Sequence, residues 1–449
     1  MTRPAFFNVQ DHNAIGDGLT SNTHAIQETI DAASRAGGGT VIVPAGQYVT
    51  GSLFLHDNIT LQVDAGATLL GSKKVNDYPL IMLRWEGITQ LSHAALITGE
   101  GLRNIAVTGR GTIDGRGRYW WVMHRAKTLA HPRPRLISFS NCTNVLIEDL
   151  MLVDSPAWTI HPVRCENVTV TKVTIINPPD SPNTDGINPD SCRNVHISNC
   201  HIDVGDDCIT LKAGIEHESP ELRAPCENVT ISDCTMVHGH GGVVIGSEMS
   251  GDVRNVVISN CVFVGTDRGI RMKSRRGRGG IIEDIRATNI VMMDVLCPFT
   301  MNLYYHINAR GDPHVADKAP QPINSGTPII RRIHFSHITA QRAQYAAAFL
   351  YGLPEMPLEE VSFDDVSISL AEDARAGEPE MADDMPAMQR AGFFARNVRS
   401  LRLCHVTIHH QLGQPLLIED ANEVEICPGG LPAAVNPKPE RGEDSSVQK

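Results

Sequence analysis

One short pattern recurs along the chain: an asparagine, then apolar and polar residues in alternation. It reads Asn104-Ile105-Ala106-Val107, Asn144-Val145-Leu146-Ile147, Asn167-Val168-Thr169-Val170, Asn194-Val195-His196-Ile197, Asn228-Val229-Thr230-Ile231 and Asn255-Val256-Val257-Ile258. Weaker copies follow near Ile285, Ile333, Val361 and Leu401. From Asn144 to Asn255 the successive gaps are 23, 27, 34 and 27 residues. After each copy come a turn pair and a second short alternating run, such as Cys200 to Val204. Alternation of β-branched with polar residues predicts strands that bury one face. A period of this size predicts a solenoid, in which each repeat buries its inner face on its neighbours. The fold expected is all-β, a right-handed parallel β-helix with three or four short strands per turn. The asparagines, at a fixed turn position, predict left-handed backbone or a side-chain ladder rather than chemistry.

A different period precedes the repeats. From Thr23 to Ala36, Ala25, Ile26, Ile30 and Ala33 fall at helical spacing, Asn22 or Thr23 stands where a cap belongs, and Gly37-Gly38-Gly39 ends the run. An open β-helix exposes the edge of its first coil, so this helix is expected as its lid. The organisation predicted is one domain over 1–431, its N-terminal cap occupying about 1–70. Residues 371–388 are acidic and proline-bearing and read as a long exposed loop. The tail, 432–449, is rich in Pro, Glu, Lys and Ser and is expected to be disordered.

Composition narrows the function. The 449 residues carry a formal charge of −12, which argues against nucleic-acid binding and makes local basic clusters informative. Aromatics are only 5 %, which suits a core of stacked aliphatic side chains. No run approaches transmembrane length, so no membrane partner is expected. The N-terminus, Met-Thr-Arg-Pro-Ala-Phe-Phe-Asn, shows no apolar signal core. The cysteine count, 11, is odd, and Cys142, Cys200, Cys234 and Cys261 recur inside strand repeats. A ladder of free, buried thiols in a cytoplasmic protein is therefore expected.

Four polar clusters interrupt the repeats: Asn183-Thr184-Asp185, Gly205-Asp206-Asp207, Gly239-His240-Gly241 and Arg271-Met272-Lys273. Their separations approximate the repeat, so a solenoid should stack them into one patch. Three crowded carboxyls cannot all ionise freely, and repulsion should leave an acid beside a base. Glycoside hydrolysis uses such a pair. Any one Asp alone would more often cap a turn. His240 gains weight only from its place one long coil after Asp206. Arg268, Arg271, Lys273, Arg275, Arg276 and Arg278 form a basic run, read either as a solvated loop or as a carboxylate clamp. Against the acidic background the clamp is favoured. No metal or cofactor is expected: there is no His-x-x-x-His with a Glu, no Cys-x-x-Cys, and no phosphate-cradling loop.

These four motifs, in this order, resemble the polygalacturonase family, glycoside hydrolase family 28; the fourth departs mildly, with Met272 at its middle position. Gly16-Asp17-Gly18, Gly37-Gly38-Gly39-Thr40-Val41 and Pro44 to Tyr48 are also similar to that family's N-terminal region, and the likeness covers roughly 6–430. The resemblance implies a pectin-lyase-like solenoid. It implies Asp206 as general acid, Asp185 and Asp207 holding and activating water with inversion, and His240 tuning the acid. Arg271 and Lys273 would bind galacturonate carboxylates. Asn183, Arg276 and Glu248 would join them in holding the sugar, with a tyrosine, Tyr304 or Tyr305, of which Tyr304 is taken. The stretch Val243 to Gly251 looks like the bacterial exo-acting members. An exo-acting hydrolase of short oligogalacturonates is the first expectation, and an oligomer is possible. Alternatives are a rhamnogalacturonan or xylogalacturonan hydrolase, a pectate lyase, or a non-catalytic carbohydrate-binding solenoid.

Overall fold

The computed structural model describes residues 5–307, 309–427 and 431. The tail at 432–449 lies outside them. The chain winds into a right-handed parallel β-helix in which strands pair with the strand one coil away. The register shows how the repeat builds the core. Val145 pairs with Val168, Val168 with Val195, Val195 with Val229 and Val229 with Val256. The column continues through Ile285, Ile333, Val361 and Leu401, the four weaker copies seen in the sequence. Every member is 2 % exposed or less. Each strand must alternate to keep this face inward, because a one-residue slip would turn the whole set to solvent.

The asparagines do both things expected of them. Asn104, Asn144, Asn167, Asn194, Asn228 and Asn255 all sit at φ between 56° and 58°. Their amides donate along the stack, Asn144 to Asn104, Asn167 to Asn144, and onward to Asn255 to Asn228, at 2.9–3.1 Å. Asn104 extends the ladder to Asn58 at 2.8 Å.

The helix spans Thr23–Arg35 and buries Ile26, Thr29, Ile30 and Ala33 against the first coil. Its capping differs from expectation. Asn22 makes no side-chain cap bond. Its amide instead bridges the preceding loop, accepting from Ile15 N at 2.6 Å and donating to the Ile15 and Thr20 carbonyls. Thr23 Oγ1 accepts from Gly51 N at 2.7 Å, tying the helix start to the solenoid.

Nine cysteines are free and buried, but the single ladder expected of Cys142, Cys200, Cys234 and Cys261 is corrected: Cys142 stacks instead with Cys165 and Cys192, Cys142 N donating to Cys165 Sγ and Cys165 N to Cys192 Sγ, each at 3.4 Å. The expectation of free cysteines is qualified by one disulfide, Cys404–Cys427. These two lie 23 residues apart on consecutive terminal coils, with Cα atoms 4.8 Å apart, within the span a bridge can close.

Among the described residues, one named strand pair is antiparallel: Leu80–Trp85 with Ile88–His93. This hairpin leaves the coil and, with the 214–223 loop, walls the site described next.

Candidate active site

The motif residues reach one place because the coils are in register. Ile187 bridges Ile160 on one side and Ile209 on the other, and Ile209 pairs with Val243. Asp185 and Asp207, each two residues before its paired isoleucine, therefore stack on adjacent coils. Gly186 N donates to Asp207 O, Cys208 N to Gly241 O, and His240 N to Asp206 O. Gly239 is left-handed at φ 73°, and a Cβ there would meet Asp206 O at 2.3 Å. Glycine at 239 is thus what lets the His240 coil close on the Asp206 coil.

The result is a cleft of about 790 Å³. Asp185, Asp206 and Asp207 offer oxygens within 4.8 Å of one another. That spacing would suit a cation, and the cationic neighbours the chain itself provides there are Lys273 and Arg271. Lys273 Nζ donates to Asp207 Oδ2 at 2.9 Å, and Arg271 Nη1 stands 3.6 Å from Oδ1. Burial opposes ionisation of Asp207, but Lys273 and Arg271 outweigh it and hold its pKa well below the usual carboxylate range. The other two go the other way. Burial, then the neighbouring Asp206, push Asp185 well up, and burial with Asp207 raises Asp206. The cluster thus keeps Asp207 ionised and a proton on the Asp185–Asp206 side, which is a base beside an acid. Asp206 is the least buried of the three. Asp185 Oδ2 accepts from Asn188 Nδ2 at 3.1 Å, while Asp185 Oδ1 and Asp207 Oδ1 are buried with no hydrogen-bond partner among the described residues.

His240 lines the cleft, and its Nδ1 lies 2.8 Å from Asp267 Oδ2. That bond raises the imidazole pKa against the effect of burial, and Asp206 adds to it. Asn183 lines the cleft at φ 53°, its Oδ1 accepting from Arg133 Nη2 at 2.8 Å. Glu248 also lines it, paired with Lys212 Nζ at 3.2 Å.

Two expected residues do not reach the cleft. Arg276 points away, chelating Glu355 at 2.6 and 2.9 Å and bonding the Ala319 carbonyl. Tyr304 is 1 % exposed and stacks on Tyr351 at 4.4 Å. For Tyr304 the reason is alternation along extended chain. Tyr305 lines the cleft, so Tyr304 turns inward, whereas Arg276 sits in the turn after the strand and is drawn off by Glu355.

Other cleft residues escaped the sequence reading. Asp267 follows His240 by 27 residues, a repeat length already visible, and could have been found that way. Trp85 and Trp158 stack at 5.9 Å with planes 5° apart, and Lys212 Nζ lies 4.6 Å over Trp158. Two tryptophans out of four, in a chain poor in aromatics, were the available signal. The loop at 371–388, expected to be exposed, sends Met381 to the cleft and buries Glu380 completely. Nothing local announces this.

Comparisons with known proteins bear on the family and the fold. Residues 36–378 match the model of the glycosyl hydrolases family 28. A probable polygalacturonase of Vitis vinifera is 34 % identical over 375 residues, covering 81 % of this chain and 74 % of that protein. An exo-poly-alpha-D-galacturonosidase of Dickeya chrysanthemi is 28 % identical, covering 65 % of this chain and 56 % of that protein. The crystal structure of a hyperthermoactive exopolygalacturonase from Thermotoga maritima superposes with a TM-score of 0.76 at 28 % identity, covering 91 % of this chain and 93 % of the other.

Proposed function

The chain belongs to glycosyl hydrolases family 28 and is a glycoside hydrolase, and from that premise we propose that it cleaves α-1,4 galacturonosyl linkages in pectin-derived oligogalacturonates, acting from a chain end. The observation that carries the chemistry is the unequal pairing of the three clustered aspartates: Lys273 and Arg271 stand on Asp207, while the Asp185 carboxyl is bonded only by Asn188 among the described residues. Asp206, protonated and facing His240, gives its proton to the leaving oxygen. Water held by the unpaired oxygens of Asp185 and Asp207 attacks the anomeric carbon and gives a proton to Asp207.

Substrate class follows from the walls. Arg268, Arg271, Lys273, Arg275 and Arg278 line a basic side against which a sugar carboxylate fits, and the stacked pair Trp85 and Trp158 lines another. The relatives named above as polygalacturonases support the same choice. End-wise action is supported by the enclosure. Trp85, Glu86, Ile88 and Gln90 of the hairpin, with Ile215 to His217, wall the cleft.

Stereochemistry has two readings. Inversion follows from the family resemblance, with both Asp185 and Asp207 poised on one water. Oxygens within 4.8 Å are closer than the ~6.5–9.5 Å usual for inverting pairs and nearer the ~5–5.5 Å of retaining ones. NMR of the first-formed product decides: a β-anomer from the α-linkage supports inversion, an α-anomer retention.

Incubation with di- and trigalacturonate, beside a rhamnogalacturonan control, tests the substrate. Release of galacturonate from chain ends is expected, and cleavage of the control alone would replace this reading. An unsaturated, ultraviolet-absorbing product would instead mean elimination. Asp206→Asn should lower kcat by about 10²–10⁴ with the fold intact; activity within a few fold of wild type would remove Asp206 from the acid's role.

A further inference from the structure

The 371–390 segment takes no part in the chemistry above, yet it enters the site. Glu380 is 0 % exposed. Arg271 chelates it, Nε to Oε2 at 2.7 Å and Nη2 to Oε1 at 2.5 Å. Its own backbone closes on it, Met381 N donating to Oε1 at 2.9 Å. The flanking chain is pinned as firmly: Arg268 donates to the Pro379 and Glu378 carbonyls and Asn302 to the Met381 carbonyl, all at 2.9 Å. Burial opposes its charge, but Arg271 and then Arg268 bring the carboxyl down to about 2, so it is ionised.

A buried ion pair is weak evidence for stability, because desolvating both charges offsets much of their attraction. Its geometric consequence is more telling. With Nε and Nη2 held by Glu380, the third nitrogen, Nη1, stops 3.6 Å from Asp207 Oδ1, beyond a hydrogen bond. Asp207 Oδ2 is already taken by Lys273. Oδ1 is buried and unpaired. An unpaired oxygen of that kind, 3.6 Å from a guanidinium, persists only if something holds the cation back.

We propose that Glu380 is a positioning residue: it restrains Arg271 so that Asp207 Oδ1 stays free to accept a proton from the attacking water. Atoms balance without another reactant. The water oxygen bonds the anomeric carbon, its proton passes to Oδ1, the glycosidic bond breaks, and the leaving oxygen takes the Asp206 proton. The role of the water rests on the hydrolase reading; the restraint of Arg271 does not.

Glu380→Gln removes the charge and keeps the shape. Its crystal structure should show an Arg271 nitrogen within hydrogen-bonding distance of Asp207 Oδ1. Its kcat should fall about 10–100-fold, part of a general base's usual contribution, with KM little changed. In an Arg271→Ala background the same change should cost nothing further, since the two act as one unit. Glu380→Asp keeps the charge, should recover part of kcat, and serves in its place if the glutamine variant does not fold. Two results overturn the proposal: Arg271 unmoved from Asp207, or kcat and KM changing only in step with lost thermal stability. If the wild type fails to cleave oligogalacturonate, the functional reading falls, while the Arg271–Asp207 distance still decides the part of Glu380.

Discussion

At the scale of single residues, the site works by giving chemically identical groups different neighbours. Asp185 and Asp207 are stacked equivalents, yet one is pushed up by burial and the other is held down by two cations. His240 belongs to the same logic, its pKa raised chiefly by Asp267. Asp267→Asn removes that partner, so the imidazole should titrate at lower pH, readable by NMR of the ring protons. The sign carries to stability. A histidine whose folded pKa is raised stabilises fully below its unfolded value and loses that contribution as pH rises through the folded one. The stability gap between wild type and Asp267→Asn should therefore be widest near about pH 5–6, below the ordinary histidine value, and shrink on the alkaline side. A gap that stays flat across this range would show that Asp267 serves Arg268 instead, since neither of those two charges changes there.

At the scale of elements, the asparagine ladder unites two functions that substitutions can separate. Asn194 holds φ at 57° and both donates to Asn167 and accepts from Asn228. Asn194→Gly loses the side-chain bonds and keeps the backbone; Asn194→Ala loses both. The alanine variant should be the less stable by about 1–2 kcal/mol, the cost of left-handed backbone for an L-residue, read from urea midpoints. Equal midpoints would mean the ladder alone matters. The thiols test the strands in another way. Titration in denaturant without reductant should find nine, the buried set, and eleven after reduction. Eleven before reduction would show that Cys404 and Cys427 are not bridged.

At the scale of the whole molecule, one continuous core runs along the solenoid, and the Thr23–Arg35 helix packs on its first coil. Ile30 is fully buried between the helix and the first coil. Ile30→Asp places an unpaired charge there and should undock the lid, exposing the paired edge of the first coil. Light scattering should then report aggregation where the wild type stays dispersed. A monodisperse variant would show that the helix is not what protects that end. The same scale explains the walls of the site. Arg84, near the hairpin tip, is buried against Asp190 at 3.2 Å and Glu218 at 3.0 Å, which binds the hairpin, the coil and the 214–223 loop together.

What the sequence determined by itself is whatever repeats. Strand alternation, the period, the asparagine turns and the stacking of Asp185, Asp206, Asp207 and His240 all follow from local pattern multiplied along one axis, because in a solenoid distance in sequence converts directly to distance in space. Even Asp267 was within reach of that rule. Tertiary structure alone decided what comes from outside the repeat. Glu380 meets Arg271 from 109 residues away, on a loop whose composition reads as solvent-exposed. Trp85 arrives on a hairpin that leaves the coil. Tyr305 rather than Tyr304 faces the cleft because a single step along extended chain reverses a side chain, and only the register of the neighbouring coils sets which side is which.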